Sequence, residues 1–279
     1  MKRINKGSKE ILRMKLFMAL LFILLVIPST SFAEQEFETV FIEEMTWTEV
    51  RDAIKAGKTT IIFPTGGTEQ NGPHMVLGKH NFIVKYAAEQ IAQRLGNALV
   101  APVLAYVPES FHMSFPGTIT LPDEYFMKVT EYAARSFKVN GFKHIILIGD
   151  SGGNQIGLMK VAMMLNEEWA DIDVRVHYIA DYYNASYPQG GAFFKWLQSK
   201  GEKPQDIGEH AGVTDTSQLM AINPQLIRMD KLEPGGSYWE SGVSGNPTRA
   251  NIAYGKKGLE LKIEAAVAQI KQLIAAERK

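Results

Sequence analysis

Short apolar runs alternate with amphipathic stretches along most of the chain. The runs fall at residues 59–63, 98–101, 144–148 and 174–179, and turn residues such as Pro64, Gly66 and Pro102 close the first two. Runs this short, rich in Val and Ile, read as strands buried on both faces. Helical spacing of apolar positions occupies the intervals, at about 82–95, 124–139 and 155–169. Thr46 followed by Glu49 marks a capped helix running to about residue 56, and Asp123 reads as the N-cap of the helix beginning at 124. A further helix is expected from the 208–217 stretch to about 222, and a closing amphipathic helix over 259–278. Residues 241–258, rich in Gly, Asn and Pro, read as loop. Strands alternating with helices predict right-handed βαβ units, and so an α/β fold of three layers, α/β/α, with a mainly parallel sheet.

The first 33 residues break this pattern. Six basic side chains, opposed only by Glu10, precede an apolar run of 12 residues at 16–27, then Pro28 and the small residues Ser31 and Ala33. This is the pattern of a secretory signal peptide, and the run is shorter than the roughly 20 apolar residues of a membrane span. The expectation is an exported protein, periplasmic or secreted and bacterial. Residues 34–279 would form a single domain with no stable membrane insertion after cleavage. Lys plus Arg equal Asp plus Glu at 30 each; losing six basic groups and one acidic group with the leader leaves about −5. Nothing here suggests nucleic acid. The chain has no cysteine, which excludes disulfides and thiolate metal ligands.

Chemistry concentrates in loops that follow the strands. The first carries Glu69, Asn71, His74 and His80 within a dozen residues, where open α/β sheets place their ligands. The second, 103–122, holds Glu109 and His112. The third, Gly149-Asp150-Ser151-Gly152-Gly153, matches the G-x-S-x-G nucleophile elbow between a strand and a helix. Asp181 and His210 follow in the order Ser, Asp, His, so a serine hydrolase with Ser151 as nucleophile and His210 as base is one reading. Residues 184–207 read as an excursion over the site, with Trp196 and Trp239 as candidate covers or plain packing. His144 and His177 border apolar strands and read as structural.

Taken together, the loops resemble the creatininase (creatinine amidohydrolase) family. The matching segments are Glu69-Gln70-Asn71-Gly72-Pro73-His74 with His80, His112 ahead of Phe115-Pro116-Gly117-Thr118, Gly149 to Asn154, and His210-Ala211-Gly212 through Ser217. Gly242 to Pro247 resembles a further family segment. The resemblance implies a creatininase-like fold and metal-assisted hydrolysis of a non-peptide C–N bond in a small molecule. It also implies a homo-oligomer, such as a hexamer. The sequence departs from the family at its ligand positions: Asn71 replaces a His, His80 a potentially bridging Asp, Ser151 a His, and Asp215 a Glu. A neutral imidazole gives one nitrogen to one metal, so the carried-over set shrinks. Glu69, His80 and Asp215 would hold one divalent ion, Zn, Mn or Fe, and His210 would transfer protons. Ser151 would line the emptied part of the site, Asp150 orient His80 or His210, His74 shape the loop or contact substrate, and His112 support the ligands from outside or contact substrate. The alternative is a non-catalytic descendant binding a small ligand in the old pocket.

Overall fold

A computed structural model of the chain describes residues 39–186 and 190–277. The expected leader, residues 1–33, lies outside the described residues. Four parallel strands form one sheet in the order β2-β1-β3-β4. They are β1 (Thr60–Thr65), β2 (Ala98–Val100), β3 (His144–Gly149) and β4 (Arg175–Tyr178). Ile61 pairs with Leu99 on one side and Ile145 on the other, and Ile145 with Val176. The helices are α1 (Trp47–Lys55), α2 (Lys79–Leu95), α3 (Asp123–Asn140), α4 (Asn154–Glu168), α5 (Ala180–Asn184), α6 (Ala192–Ser199), α7 (Pro204–Ile207), α8 (Val213–Ile222), α9 (Tyr238–Ser241) and α10 (Ile252–Ala276). Among the described residues, no helix is long and apolar enough to cross a membrane.

Alternation along each strand sends successive side chains to opposite faces. Ile62, Val100, Ile146 and Ile148 meet Ile83, Ala87 and Ile91 of α2 and Leu259, Ile263 and Ile270 of α10. Phe63, one residue on, packs its ring against Phe137 of α3 on the opposite face, 5.8 Å between centroids. The fold is therefore the expected three-layer α/β/α sandwich. Thr46 and Glu49 form the expected capping box. Asp123 differs: it is the first helical residue, and Pro122 occupies the cap.

The largest departure from the sequence reading is α10, which starts at Ile252 under an Asn251 cap, a full turn and more before the expected 259. Gly255 and Gly258, which made the segment look like loop, are helical. A Cβ on Gly255 would come within 1.8 Å of the Ser217 carbonyl oxygen, and one on Gly258 within 2.5 Å of the Phe193 ring. The glycines let α10 approach α8 and α6 at backbone distance. Gly255→Ala gains helix propensity of about 1 kcal/mol, but a clash with rigid backbone outweighs it. The expected net loss is about 2 kcal/mol, read as a lower urea midpoint at unchanged slope.

Candidate functional site

The chain crosses from β1 to β2 on one side and to β3 on the other, so the topological switch point lies between β1 and β3. Ligands of open α/β sheets bind outside the strand ends at that point. The loops after β1 and β3 meet there and are tied together. Asn154, opening α4, donates its amide to Thr65 Oγ1 and to the Gly66 carbonyl, both at 2.9 Å. Asn71 donates to the Glu69 carbonyl at 2.9 Å and so shapes its own loop. His74 sits inside the fold, with Nε2 3.0 Å from Thr216 Oγ1. Burial pushes it down to about 4, so it is a neutral structural imidazole.

Glu69, 1% exposed, is the hub. Its Oε1 lies 2.8 Å from His80 Nε2, 3.4 Å from Lys79 Nζ and 3.8 Å from His210 Nδ1, and its Oε2 3.0 Å from His112 Nε2. Burial works against its charge, but His80 and Lys79 hold it well below the usual carboxylate range. His80 is clamped from both sides, because its Nδ1 also donates to Asp150 Oδ2 at 2.8 Å. Burial and Lys79 push it down, yet the two carboxylates carry it up to about 9, which makes it an imidazolium at neutral pH. Asp150 additionally accepts from Lys262 of α10 and from the Tyr182 hydroxyl. Asp215 accepts from Lys79 Nζ at 3.1 Å and from the Ala211 amide at 2.9 Å.

Three ionised carboxylates thus face three cations: Glu69, Asp150 and Asp215 against Lys79, His80 and Lys262. The remaining groups are neutral. Burial and the Glu69 charge push Glu109 up to about 8, so it is a carboxylic acid beside Glu69 and Ser151. Burial brings His210 down to about 4. Its Nε2 is 2.9 Å from the Gln70 carbonyl oxygen. The Gln70 side-chain amide nitrogen is 3.0 Å from the same Nε2, so Gln70 holds that nitrogen and Nδ1 faces Glu69. His112 is neutral by burial, with its Nδ1 against the Tyr238 hydroxyl, and it stacks on His210 at 4.5 Å.

These groups line a cavity of about 760 Å³. Phe111, Tyr238 and Trp239 wall one side, their centroids 5.4 to 5.6 Å apart. Of the residues expected from the sequence, Glu69, His80, Asp150, Ser151, His210, Asp215, His112 and Trp239 all line it. Trp196 instead packs between Phe193 and Tyr254. The Ser-His-Asp arrangement is not assembled: Ser151 lies beside Glu109, His210 pairs with Gln70, and Asp181 is exposed. Sequence reasoning missed Lys79, Lys262, Tyr238 and the protonated state of Glu109. The one signal was that Lys262 falls on the helical stripe of Leu259, Ile263 and Ala266, which faces the core.

A strand-end cavity floored by carboxylates and imidazoles defines an α/β protein built to hold a small molecule against an acid–base centre. Residues 43–270 match the family described as creatinine amidohydrolase, and the chain belongs to the creatininase family. It is 27% identical over 202 residues to the creatinine amidohydrolase of Pseudomonas putida, covering 70% of this chain and 76% of that one. It is 26% identical to the mycofactocin precursor peptide peptidase of Mycolicibacterium smegmatis, over 76% and 84% of the two chains. To the 3-dehydro-scyllo-inosose hydrolase of Thermotoga maritima it is 28% identical, over 78% and 70%. A solved manganese form of creatininase superposes with a TM-score of 0.71 at 23% identity, covering 84% of this chain and 98% of that one. A relative in zinc–zinc form superposes with 0.69 at 23%, over 85% and 98%.

The His80 clamp has a pH signature. Its raised folded value means that the stabilisation is complete below about 6.5, the ordinary histidine value, and is lost as pH rises through about 9. Stability should fall across that window by up to ~1.4 kcal/mol per pH unit. Urea denaturation at stepped pH measures it, and His80→Gln should flatten the slope.

Proposed function

We propose that the protein hydrolyses a C–N bond of the amide type in a small molecule, in an exported mature form. The observation that carries the reading is the grouping of Glu69, His112 and His210 at the cavity floor. It lies within a family whose relatives include an amidohydrolase and a peptidase.

The donor set does not fit a pair of ions. At residue 80 an imidazole stands with both nitrogens on carboxylates, so it cannot bridge. Asn71 turns into its loop, and Ser151 offers only a hydroxyl. The set does fit a single ion. One ligand atom each from Glu69, His112 and His210 lies within 4.8 Å of the others, and two imidazoles with one carboxylate make a known catalytic zinc set. Gln70 and Tyr238 hold the far nitrogens of the two rings, the outer support such ligands need. When bound there, Zn, Mn or Fe would supply a water of lowered pKa and polarise the carbonyl.

The chain's own residues supply the rest. Glu109 keeps a proton beside Glu69 in a water-poor wall and can deliver it to the leaving nitrogen. Ser151 lies beside that acid. The Lys79 ammonium, fixed between Glu69 and Asp215, presents positive charge where a carbonyl oxygen becomes anionic. Phe111, Tyr238 and Trp239 cover the substrate. In this arrangement His210 serves the ion, and the proton transfer expected of it passes to Glu109. The set carried over from the family positions, Glu69, His80 and Asp215, competes for the same ion. To bind it, His80 must give up the proton its Nε2 shares with Glu69, and Asp215 must release Lys79.

A second reading is favoured by the balance of Lys79, His80 and Lys262 against the three carboxylates. A site already neutral has less to gain from an ion, and such a protein would bind a small ligand without hydrolysing it.

Metal analysis of the dialysed protein separates these readings. We expect about one Zn, Mn or Fe per chain at this centre, so the metal content should fall by one equivalent in Glu69→Gln, His112→Ala and His210→Ala but not in His80→Ala. A fall in His80→Ala with none in His112→Ala would support the family-derived set, and a content unchanged by all four substitutions would support the binding protein. On an amide found by screening, Glu109→Gln should lower kcat by about 10²–10⁴ with little change in KM.

A further inference from the structure

The amino end of the sheet carries a second group of ligand-type side chains that the cavity does not use. His144 opens β3 and His177 sits in β4, on the same face of a parallel pair whose register fixes both. Six residues of extended chain separate His144 from Asp150, roughly 20 Å at about 3.3 Å per residue. Glu277, just past the end of α10, reaches both rings. His177 Nε2 is 3.4 Å from His144 Nδ1 and 3.3 Å from Glu277 Oε1, and His144 Nδ1 is 3.5 Å from Glu277 Oε2.

We propose that His144, His177 and Glu277 form a second divalent-cation site of the zinc class, which fastens the carboxyl end of α10 to the sheet. The three separations carry the argument. Hydrogen bonds between such groups centre near 2.9 Å, so contacts of 3.3 to 3.5 Å are long for direct pairing. Nitrogens bound tetrahedrally at about 2.0–2.1 Å stand about 3.3–3.4 Å apart, which the imidazole pair matches; Glu277 meets His177 through Oε1 and His144 through Oε2, and one donor atom from each of the three residues lies within 4.8 Å of the others. His177 is 6% exposed, and its ring is held by the sheet rather than by a flexible stem. The neighbouring charges have other partners. The Arg175 guanidinium donates to the carbonyls of Trp169, Ala170, Ile172 and Val174. Asp173 accepts from Lys143 at 2.6 Å. Two imidazoles and a carboxylate suit zinc, copper or nickel rather than calcium or magnesium. The three ligands come from three separate elements, so an ion here ties β3, β4 and the end of α10 together, with the fourth position left to water.

Calorimetric titration of zinc into the chelator-stripped protein tests this, with urea midpoints measured with and without zinc. The wild type should take up one equivalent more than His177→Ala, His144→Ala or Glu277→Gln. Zinc should raise the wild-type midpoint, and part of that gain should vanish in each variant. Glu277→Gln changes a partly exposed side chain at a helix end, so it stays informative if the histidine variants fold poorly. His112→Ala, which disables the cavity ion, should keep the extra equivalent, so failure here and failure of the proposed catalytic ion are distinguishable. In the His112→Ala background, where the cavity ion is disabled, cobalt should give the visible absorption of a tetrahedral centre, and adding Glu277→Gln should abolish it. Equal zinc uptake and equal midpoint gain in the wild type and Glu277→Gln would overturn the proposal.

Discussion

Neutralising three buried carboxylates is the constraint on which this structure turns. Glu69, Asp150 and Asp215 sit where the sheet ends, and an unpaired buried charge costs several kcal/mol. Each is met by a cation from another part of the chain. Lys79 and His80 come from the first turn of α2, next to the loop that carries Glu69. Lys262 comes from α10, on the same stripe that packs Leu259 and Ile263 on the sheet. The positions of α2 and α10 are thus fixed twice, by apolar contact and by charge. Neither layer can slide without separating an ion pair.

The same constraint bears on how this member differs from its relatives. In solved forms of creatininase, manganese or zinc occupies the centre. Here two lysines and an imidazolium stand among the carboxylates. A side-chain cation has a fixed tether and no open coordination position, so it can hold charge in place but cannot itself carry a water to the substrate. At the edge of the cluster, His112 and His210 turn Nε2 and Nδ1 toward Glu69.

The sheet was legible because buried parallel strands leave continuous apolar runs, and all four appear within a residue or two of where the pattern puts them. The early start of α10 was not, because Gly255 and Gly258 carry opposite meanings in a loop and at a tight helix crossing, and only the neighbour decides which applies. In the cavity, Glu69, His80, His210 and Asp215 stood out by motif. Lys79 and Lys262 did not, since a lysine in sequence reads as a solvated tip, and its burial depends on carboxylates that the fold brings in, Asp215 for Lys79 and Asp150 for Lys262. The acid form of Glu109 is likewise a product of three-dimensional crowding with Glu69.

Lys262 has a consequence for how the protein is made. A ribosome or a translocation pore delivers the chain amino end first. Asp150 and the strands around it therefore emerge well before the lysine that balances them. Until α10 arrives, the sheet can close its apolar layers on one side only, and the acidic pocket stays open to water. Final consolidation is thus tied to the end of synthesis, and the last helix acts as the latch.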